Sequence, residues 1–242
     1  MKSKTVKFNV CSAIGLFGLI IMCSGQQASS LTSVKPDTTL LKRNSTKMSL
    51  PFQGEWSVLW GGDTQEQNYH VAFRFAKNAF DFVMTDKQNK LYSGNGEGNE
   101  DYYAFGKPIL APCDGTVVFS QDTIHDNKPG KLNPDFFRGN CVMLKTENEE
   151  YLEFAHLKYK TVVLKKGDAV KRGQVLGLCG NSGNSYHPHL HFHIEDKESM
   201  REATGIKCYF DSILVNGKVT NDYSPVKGDK IENKKDKDAY LK

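Results

Sequence analysis

The sequence predicts an all-β protein, built as an antiparallel β-sandwich or partly open barrel. Short runs rich in β-branched and aromatic residues recur along the chain and are separated by Gly, Asn, Asp and Pro. Long stretches with the 3.6-residue period of a helix do not occur in the sequence. Hydrophobic residues make up 38% of the 242 residues, including 14 Phe and 10 Tyr, which is enough to form a core.

The first 22 residues have the pattern of a secretory signal peptide. Three lysines precede an apolar run from Ala13 to Met22, which is shorter than the roughly 20 residues of a spanning helix. Cys23 follows this run as in a bacterial lipoprotein and would carry a lipid anchor; cleavage nearby with free secretion is the alternative. Removal of the three lysines lowers the formal charge from +4 to 4 − 3 = +1, so charge predicts no nucleic-acid partner.

Three further segments follow the predicted leader. Residues 23–50 are polar and rich in Ser and Thr, which is typical of a tether. Residues 51–227 contain the strand-like runs and form the predicted folded domain. Residues 228–242 carry charges of both signs and are predicted to be a solvated tail.

Nine runs of the domain predict strands, because each is apolar or alternating and is bounded by turn residues. In chain order they are WSVLWGG (56–62), YHVAFRF (69–75), AFDFVM (79–84), GTVVF (115–119), CVMLK (141–145), YLEFAHL (151–157), TVVL (161–164), QVLGLCG (174–180) and LHFHIED (190–196).

The domain contains four cysteines, Cys113, Cys141, Cys179 and Cys208. No two of them form a CxxC pair, so a thiolate metal site is not predicted. Export would permit disulfides, but each cysteine also lies in an apolar run where a free thiol can pack as a small hydrophobe. Both states are compatible with the sequence.

Three histidines alternate with apolar residues near position 190. Successive side chains of a strand point to opposite faces, so His189, His191 and His193 share one face while Leu190 and Phe192 point to the core. Neutral imidazole is a favoured ligand of divalent metals, and a pair at i, i+2 lets one histidine bind metal while its neighbour handles protons. The pattern therefore predicts a metal site on this strand.

A catalytic zinc usually has three protein ligands and one water, so further ligands must come from elsewhere in the chain. Asp81 is the most informative candidate, because a carboxylate between Phe80 and Phe82 is costly to bury unless a positive charge compensates it. A solvent-facing strand position, with Arg74 or Lys77 as partner, is the alternative.

The stretch EFAHLKYKTVVLKKGDAVKRGQVLGLCGNSGNSYHPHLHFHI (153–194) resembles the M23 peptidases, which are zinc endopeptidases of the lysostaphin and LytM type. The shared features are a His-Leu pair, a hairpin with G-D-x-V-x-x-G-Q, a Gly-rich turn and His-Leu-His-Phe. FGKPILAPCDGTVV (105–118) is similar to the strand pair that precedes these features, and the resemblance extends over about Trp56 to Glu195.

The resemblance implies the fold of the LytM and lysostaphin peptidases, a Zn²⁺ cofactor, and hydrolysis of peptide bonds in peptidoglycan stems or cross-bridges by a metal-activated water. It makes His191 a zinc ligand and makes His156 and His189 catalytic residues that do not bind the metal. It also implies that the protein acts in the bacterial cell envelope, as a lipoprotein or after secretion.

Two positions depart from the family pattern. The first two ligands are usually a His and an Asp four residues apart, but Lys77 stands four residues before Asp81, so His70 becomes the predicted first ligand. A tight hairpin that turns at Lys77 and Asn78 would place residue 74 opposite Asp81. His70 would then lie four residues further along the strand, about 13 Å away at about 3.3 Å per residue, so residues 71–77 must loop out. His193 stands where the family commonly has Glu, and is predicted to support the site or to replace a ligand.

Other functions fit parts of the sequence. The displaced first ligand is compatible with a regulatory or binding module of the cell envelope that has lost catalysis. APCDGTVV and KKGDAVKRGQVLG also resemble biotinyl or lipoyl carrier domains, but no Met-Lys-Met or Asp-Lys-Ala motif lies between Val118 and Val162. A zinc hydrolase that acts on extracellular or envelope proteins is the third alternative.

Overall fold

Antiparallel strands account for nearly all regular structure in the computed structural model of the protein, which describes residues 42–234. Three short 3-10 helices are the only helices in that range, and none of them is long and apolar enough to cross a lipid bilayer. The predicted all-β antiparallel class is confirmed. The strands are β1 (Trp56–Trp60), β2 (Phe80–Val83), β3 (Pro108–Leu110), β4 (Gly115–Gln121), β5 (Asn140–Lys145), β6 (Tyr151–Leu157), β7 (Ala169–Val170), β8 (Val175–Leu178), β9 (Leu190–Glu195), β10 (Gly205–Ile206), β11 (Phe210–Val215), β12 (Lys218–Tyr223) and β13 (Lys230–Asn233).

Eleven strands form one large sheet in the order β12-β11-β13-β1-β2-β9-β6-β5-β4-β7, with β10 paired to β9. Strands β3 and β8 form a separate two-stranded sheet, and their residues Ile109 and Leu176 belong to the same buried core as the large sheet. Strand β9 lies between β2 and β6, and its residue His191 pairs with Asp81 on one side and with Ala155 on the other.

The apolar face of the three central strands is held by aromatic packing. Phe80 of β2 and Phe154 of β6 are both register partners of Phe192 on β9, and all three side chains are buried. The rings of Phe154 and Phe192 are 5.1 Å apart. Burial of each such ring contributes about 2–3 kcal/mol. Because side chains alternate, this packing directs Asp81 and His191 to the opposite face of the sheet.

The folded region extends beyond both predicted boundaries. Met48 and Leu50, within the predicted tether, are buried in the core. The carboxylate of Glu150 accepts a hydrogen bond from the backbone N–H of Thr46 at 3.1 Å, which fixes the start of this segment. At the other end, β13 lies inside the predicted tail and pairs with β1 and β11. The predicted leader, Cys23 and the first part of the tether lie outside the described residues.

Two predicted strands are absent from residues 42–234. Residues 69–75 begin as a 3-10 helix (Tyr69–Ala72) and continue as turns, because the backbone N–H groups of Phe73 and Ala76 donate to carbonyls three residues earlier. Residues 161–164 form an irregular connection, in which Thr161 Oγ1 donates to the carbonyl of Lys158 at 2.7 Å. Apolar alternation predicted strands in both runs, but local turn hydrogen bonds take precedence.

The four domain cysteines are free thiols, and all four are buried. Burial raises the pKa of each thiol above its ordinary value, to about 12 for Cys113. Of the two states that the sequence allowed, the structure therefore has the packed thiol.

Candidate metal centre

The site is built on the polar face of β2 and β9. Asp81 and His191 are direct register partners, and Asp81 Oδ1 lies 3.0 Å from His191 Nδ1. Both side chains are buried. Burial alone would raise the pKa of Asp81, but His70, His189 and His191 lower it below its ordinary value. The carboxylate is therefore ionised at neutral pH and faces imidazole nitrogen.

His70 reaches the same carboxylate from the 3-10 helix Tyr69–Ala72. The helix is capped by Asn68, whose Oδ1 accepts from the backbone N–H of His70 at 3.2 Å and lies 2.8 Å from His70 Nδ1. The amide nitrogen of Asn68 donates to the carbonyls of Gly62 and Ala79, so the orientation of the Asn68 amide is fixed. An amide oxygen is only an acceptor, so His70 Nδ1 carries the proton and Nε2 keeps its lone pair.

That lone pair has no hydrogen-bond partner. His70 Nε2 is buried, and it lies 3.6 Å from Asp81 Oδ1, which is another electron donor. The turns of residues 71–79 carry the chain back from His70 to β2, so the loop that the sequence requires for this ligand pair is present. Asn68, which sequence reasoning missed, sets the geometry; an Asn two residues before the histidine is a common helix-start signal that could have identified it.

His70, Asp81 and His191 together have the geometry of a metal site. Each offers one donor atom, and these atoms all lie within 4.8 Å of one another. Burial lowers the pKa of His70 to about 3, so its imidazole is neutral at pH 7, as a metal ligand must be. Two imidazoles and one carboxylate are a common protein ligand set for catalytic zinc, and a cation between them would satisfy the isolated Nε2.

His156 faces the same region because its backbone is left-handed. Its φ is 64°, and its backbone N–H donates to the carbonyl of Arg138. Alternation along β6 predicts that His156 points with Phe154 into the core. Instead its ring lies 4.9 Å from that of His189 and 5.7 Å from that of His191. A non-glycine residue in this conformation costs about 1–3 kcal/mol, so the surrounding contacts must hold it there.

Backbone carbonyls set the tautomers of both predicted catalytic histidines. His156 Nδ1 lies 2.9 Å from the carbonyl oxygen of Ser182, and His189 Nδ1 lies 2.8 Å from that of His187. A carbonyl only accepts, so each Nδ1 donates, and in the neutral form of each ring the free lone pair is on Nε2. His189 Nε2 lies 3.6 Å from Asp81 Oδ1. Burial lowers the pKa of His156 well below its ordinary value, so this imidazole is neutral.

The Gly-rich turn before β9 positions these carbonyls. A Cβ atom on Gly180 would lie 2.3 Å from the backbone nitrogen of Lys158, and one on Gly183 would lie 2.3 Å from that of Gly139. The two glycines therefore allow backbone segments to pack together, which holds the carbonyl of Ser182 against His156.

His193 contacts His191 through the ring nitrogen that does not face Asp81. Its Nδ1 is 3.0 Å from His191 Nε2, and its Nε2 is 2.9 Å from Glu195 Oε1. It is therefore not part of the group around Asp81.

Aromatic residues that sequence reasoning left out of the site line a cavity of about 260 Å³ beside Asp81 and His189, among them Trp60, Tyr69 and His187. The hydroxyl of Tyr69 donates to Asp81 Oδ2 at 3.4 Å.

Comparison with known proteins gives one family match, in which residues 98–202 match Peptidase family M23. The matched range contains His156, His189 and His191 and begins after His70 and Asp81. The family match therefore does not cover His70 and Asp81, and their place in the site rests on the geometry.

The alignments with individual relatives extend over about a hundred residues of this chain. The peptidoglycan DD-endopeptidase ShyA of Vibrio cholerae is 32% identical over 97 residues, which are 40% of this chain and 19% of that protein. The glycyl-glycine endopeptidase ALE-1 of Staphylococcus capitis is 31% identical over 102 residues, 42% of this chain and 25% of that protein. The chain thus spans a quarter or less of these two relatives. The catalytic domain of lysostaphin from Staphylococcus simulans is 22% identical, with a TM-score of 0.36 over 62% of this chain and 86% of that domain.

Proposed function

We propose that this chain, a member of peptidase family M23, is a zinc-dependent endopeptidase that cleaves peptide bonds in bacterial peptidoglycan. The observation that carries the proposal is the buried lone pair of His70 Nε2, which faces the carboxylate of Asp81 and has no hydrogen-bond partner. His191 completes the proposed ligand set. Zinc is favoured over harder cations because two of the three donors are imidazoles.

When bound, zinc supplies a Lewis acid and lowers the pKa of a coordinated water from about 15.7 toward 7. His156 and His189 would be the residues that take up the proton of that water, because the neutral form of each ring has its free lone pair on Nε2 and the two rings lie 4.9 Å apart. Once it is protonated, that histidine would be able to stabilise the developing oxyanion or to donate a proton to the leaving amine. No serine or cysteine nucleophile is required.

The substrate class rests on the relatives, since the named enzymes ShyA and ALE-1 are peptidoglycan peptidases. The cavity beside the site suits an uncharged peptide segment, because Asp81 is the only acidic residue among its lining residues and no lysine or arginine lines it. The predicted signal peptide, with or without a lipid on Cys23, would deliver the enzyme to the envelope.

The test is to express the chain from Gln26 onward, measure bound zinc, and assay hydrolysis of cell-wall peptides by the wild type, Asp81→Ala, His189→Ala and the control His125→Ala. His125 packs on Tyr159 outside the site. We expect Asp81→Ala to lose zinc and activity, and His189→Ala to keep zinc but lose about 10²–10⁴ in rate. Full zinc occupancy in Asp81→Ala would refute the ligand set. A zinc-loaded wild type that cleaves no wall peptide would favour the regulatory module.

A further inference from the structure

We infer that His193 and Glu195 position His191 through a directed hydrogen-bond chain that selects Nδ1 of His191 as the metal-binding nitrogen. The three residues His191, His193 and Glu195 of β9 are called the β9 relay. The inference rests on the proposed function for the presence of a metal, and it adds a role for two buried residues that bind neither metal nor substrate.

The direction of the β9 relay follows from the contacts of His191. Its Nδ1 faces Asp81 at 3.0 Å, and its Nε2 faces His193 Nδ1 at 3.0 Å. A neutral imidazole that binds metal through Nδ1 carries its proton on Nε2, so Nε2 donates to His193 Nδ1. The proton of His193 must then lie on its own Nε2, which donates to Glu195 Oε1 at 2.9 Å. Each imidazole accepts once and donates once, and the carboxyl group ends the relay.

Burial makes the β9 relay the only support available to His191 Nε2 among the described residues. His193 is 1% exposed and Glu195 is fully buried. Alternation along β9 places all three side chains on one face, and Glu153 of β6 is the register partner of His193. Loss of the acceptor would leave a buried N–H of His191 without a partner, which favours ring orientations that no longer present Nδ1 to the metal.

Two residues of the β9 relay also belong to a second possible cation site, since Glu153, His191 and His193 offer donor atoms within 4.8 Å of one another. Arg138 Nε lies 2.6 Å from Glu153 Oε2 and already compensates that carboxylate. A second dication would lie beside this guanidinium and would have to break the bond between the two imidazoles. The charges therefore favour support of His191 over a second metal.

The experiment measures the zinc dissociation constant of the full chain by competition with a chelator, for the wild type and two matched pairs of variants. His193→Phe removes the acceptor and keeps a planar ring, whereas His193→Gln keeps an acceptor for His191 Nε2. Glu195→Leu removes the end of the relay, whereas Glu195→Gln keeps an acceptor oxygen. Nitrogen-15 NMR of the imidazoles reports which nitrogen of His191 carries the proton.

We expect His193→Phe to weaken zinc binding 10- to 100-fold, and His193→Gln to restore it to within about threefold of the wild type. Glu195→Leu should weaken binding more than Glu195→Gln, which tests the relay even if His193→Phe does not fold. In the wild type, NMR should show the proton of His191 on Nε2. Equal zinc affinity in both members of the Glu195 pair, or a proton on His191 Nδ1 in the zinc-loaded wild type, overturns the inference. A wild type that binds no zinc overturns the proposed function itself.

Discussion

Oδ1 of Asp81 lies 3.0 Å from Nδ1 of His191, although 110 residues separate them in the chain. The two are direct register partners on β2 and β9, and the neighbouring pair Phe80 and Phe192 packs on the opposite face. A shift of one residue in this register would reverse both faces and would destroy the core and the site together. The core therefore fixes the spacing of the donor atoms.

Asp81→Asn removes the charge and keeps the shape of the side chain. We expect it to weaken zinc binding by more than about 100-fold, because an amide oxygen is a poorer zinc ligand than a carboxylate. Chelator competition measures the change. Asp211→Asn is the control, since Asp211 lies on strand β11 and pairs with Lys47 at the surface. Unchanged zinc affinity in Asp81→Asn would contradict the site.

His156 has a left-handed backbone, so glycine should be better tolerated there than alanine. We expect His156→Gly to be more stable than His156→Ala by about 1 kcal/mol, because glycine adopts positive φ without strain. Urea unfolding of the zinc-loaded variants measures the difference. At the neighbouring Ala155, which has an ordinary strand backbone, Ala155→Gly should instead destabilise. If the alanine variant at 156 is the more stable one, no strain is stored at this residue.

Gly183 and Gly54 share a φ of 74° but differ in their surroundings. A Cβ on Gly183 would meet backbone atoms at 2.3 Å, whereas one on Gly54 would meet nothing within 4 Å. We expect Gly54→Ala to cost about 1 kcal/mol from backbone strain alone. Gly183→Ala should cost about 2–5 kcal/mol, because overlap adds to that strain, and should reduce activity by displacing Ser182. Thermal unfolding and peptide hydrolysis measure both effects; equal costs would show that the turn can relax.

Residues 42–50 belong to the fold, so their removal should destabilise the domain. A chain that begins at residue 51 loses the buried side chains of Met48 and Leu50, each contributing about 1.5–3 kcal/mol. We expect it to unfold at a clearly lower temperature than a chain that begins at residue 42. A chain that begins at Gln26 is the control and should match the longer of the two. Equal melting temperatures for the chains that begin at residues 42 and 51 would show that residues 42–50 do not stabilise the domain, as expected of a tether.

Stability of the metal-free protein should fall as the pH decreases from 6.5 to 5. Burial lowers the pKa of His70 and of His193 to about 3, from an ordinary value of 6.5. In this window the unfolded chain binds protons on these two histidines that the folded chain does not, so acid favours unfolding. Burial raises the pKa of Glu195 to about 7, which acts in the opposite direction because its stabilising contribution is lost as the pH rises. His156 and His187, whose pKa values burial also lowers, act in the same direction as His70 and His193, so the histidines outweigh the one carboxyl group.

Urea midpoints of the metal-free protein at pH 5 and pH 6.5 measure this dependence. The midpoint should be lower at pH 5, and the difference should be smaller in His70→Gln, which removes one of these histidines. A higher midpoint at pH 5 than at pH 6.5 would mean that the buried histidines are protonated in the folded state.

The sequence by itself determined the β class, the two faces of β9, and the choice of Asp81 and the histidine face of β9 as candidate site features. These follow from side-chain alternation, which depends only on neighbouring positions, and from the cost of placing a carboxylate between two phenylalanines.

The tertiary structure alone decided the features that depend on distant backbone groups. His156 turns away from the core because Arg138 and Ser182 hold its N–H and ring nitrogen, so alternation along β6 could not predict its direction. Residues 69–75 look like a strand, yet they begin as a 3-10 helix that brings His70 back to Asp81, and the Asn68 amide that caps this helix is held by the carbonyl of Ala79, eleven residues further on. A hydrogen bond between residues far apart in the chain is invisible to local pattern, and such bonds orient the histidines of this site.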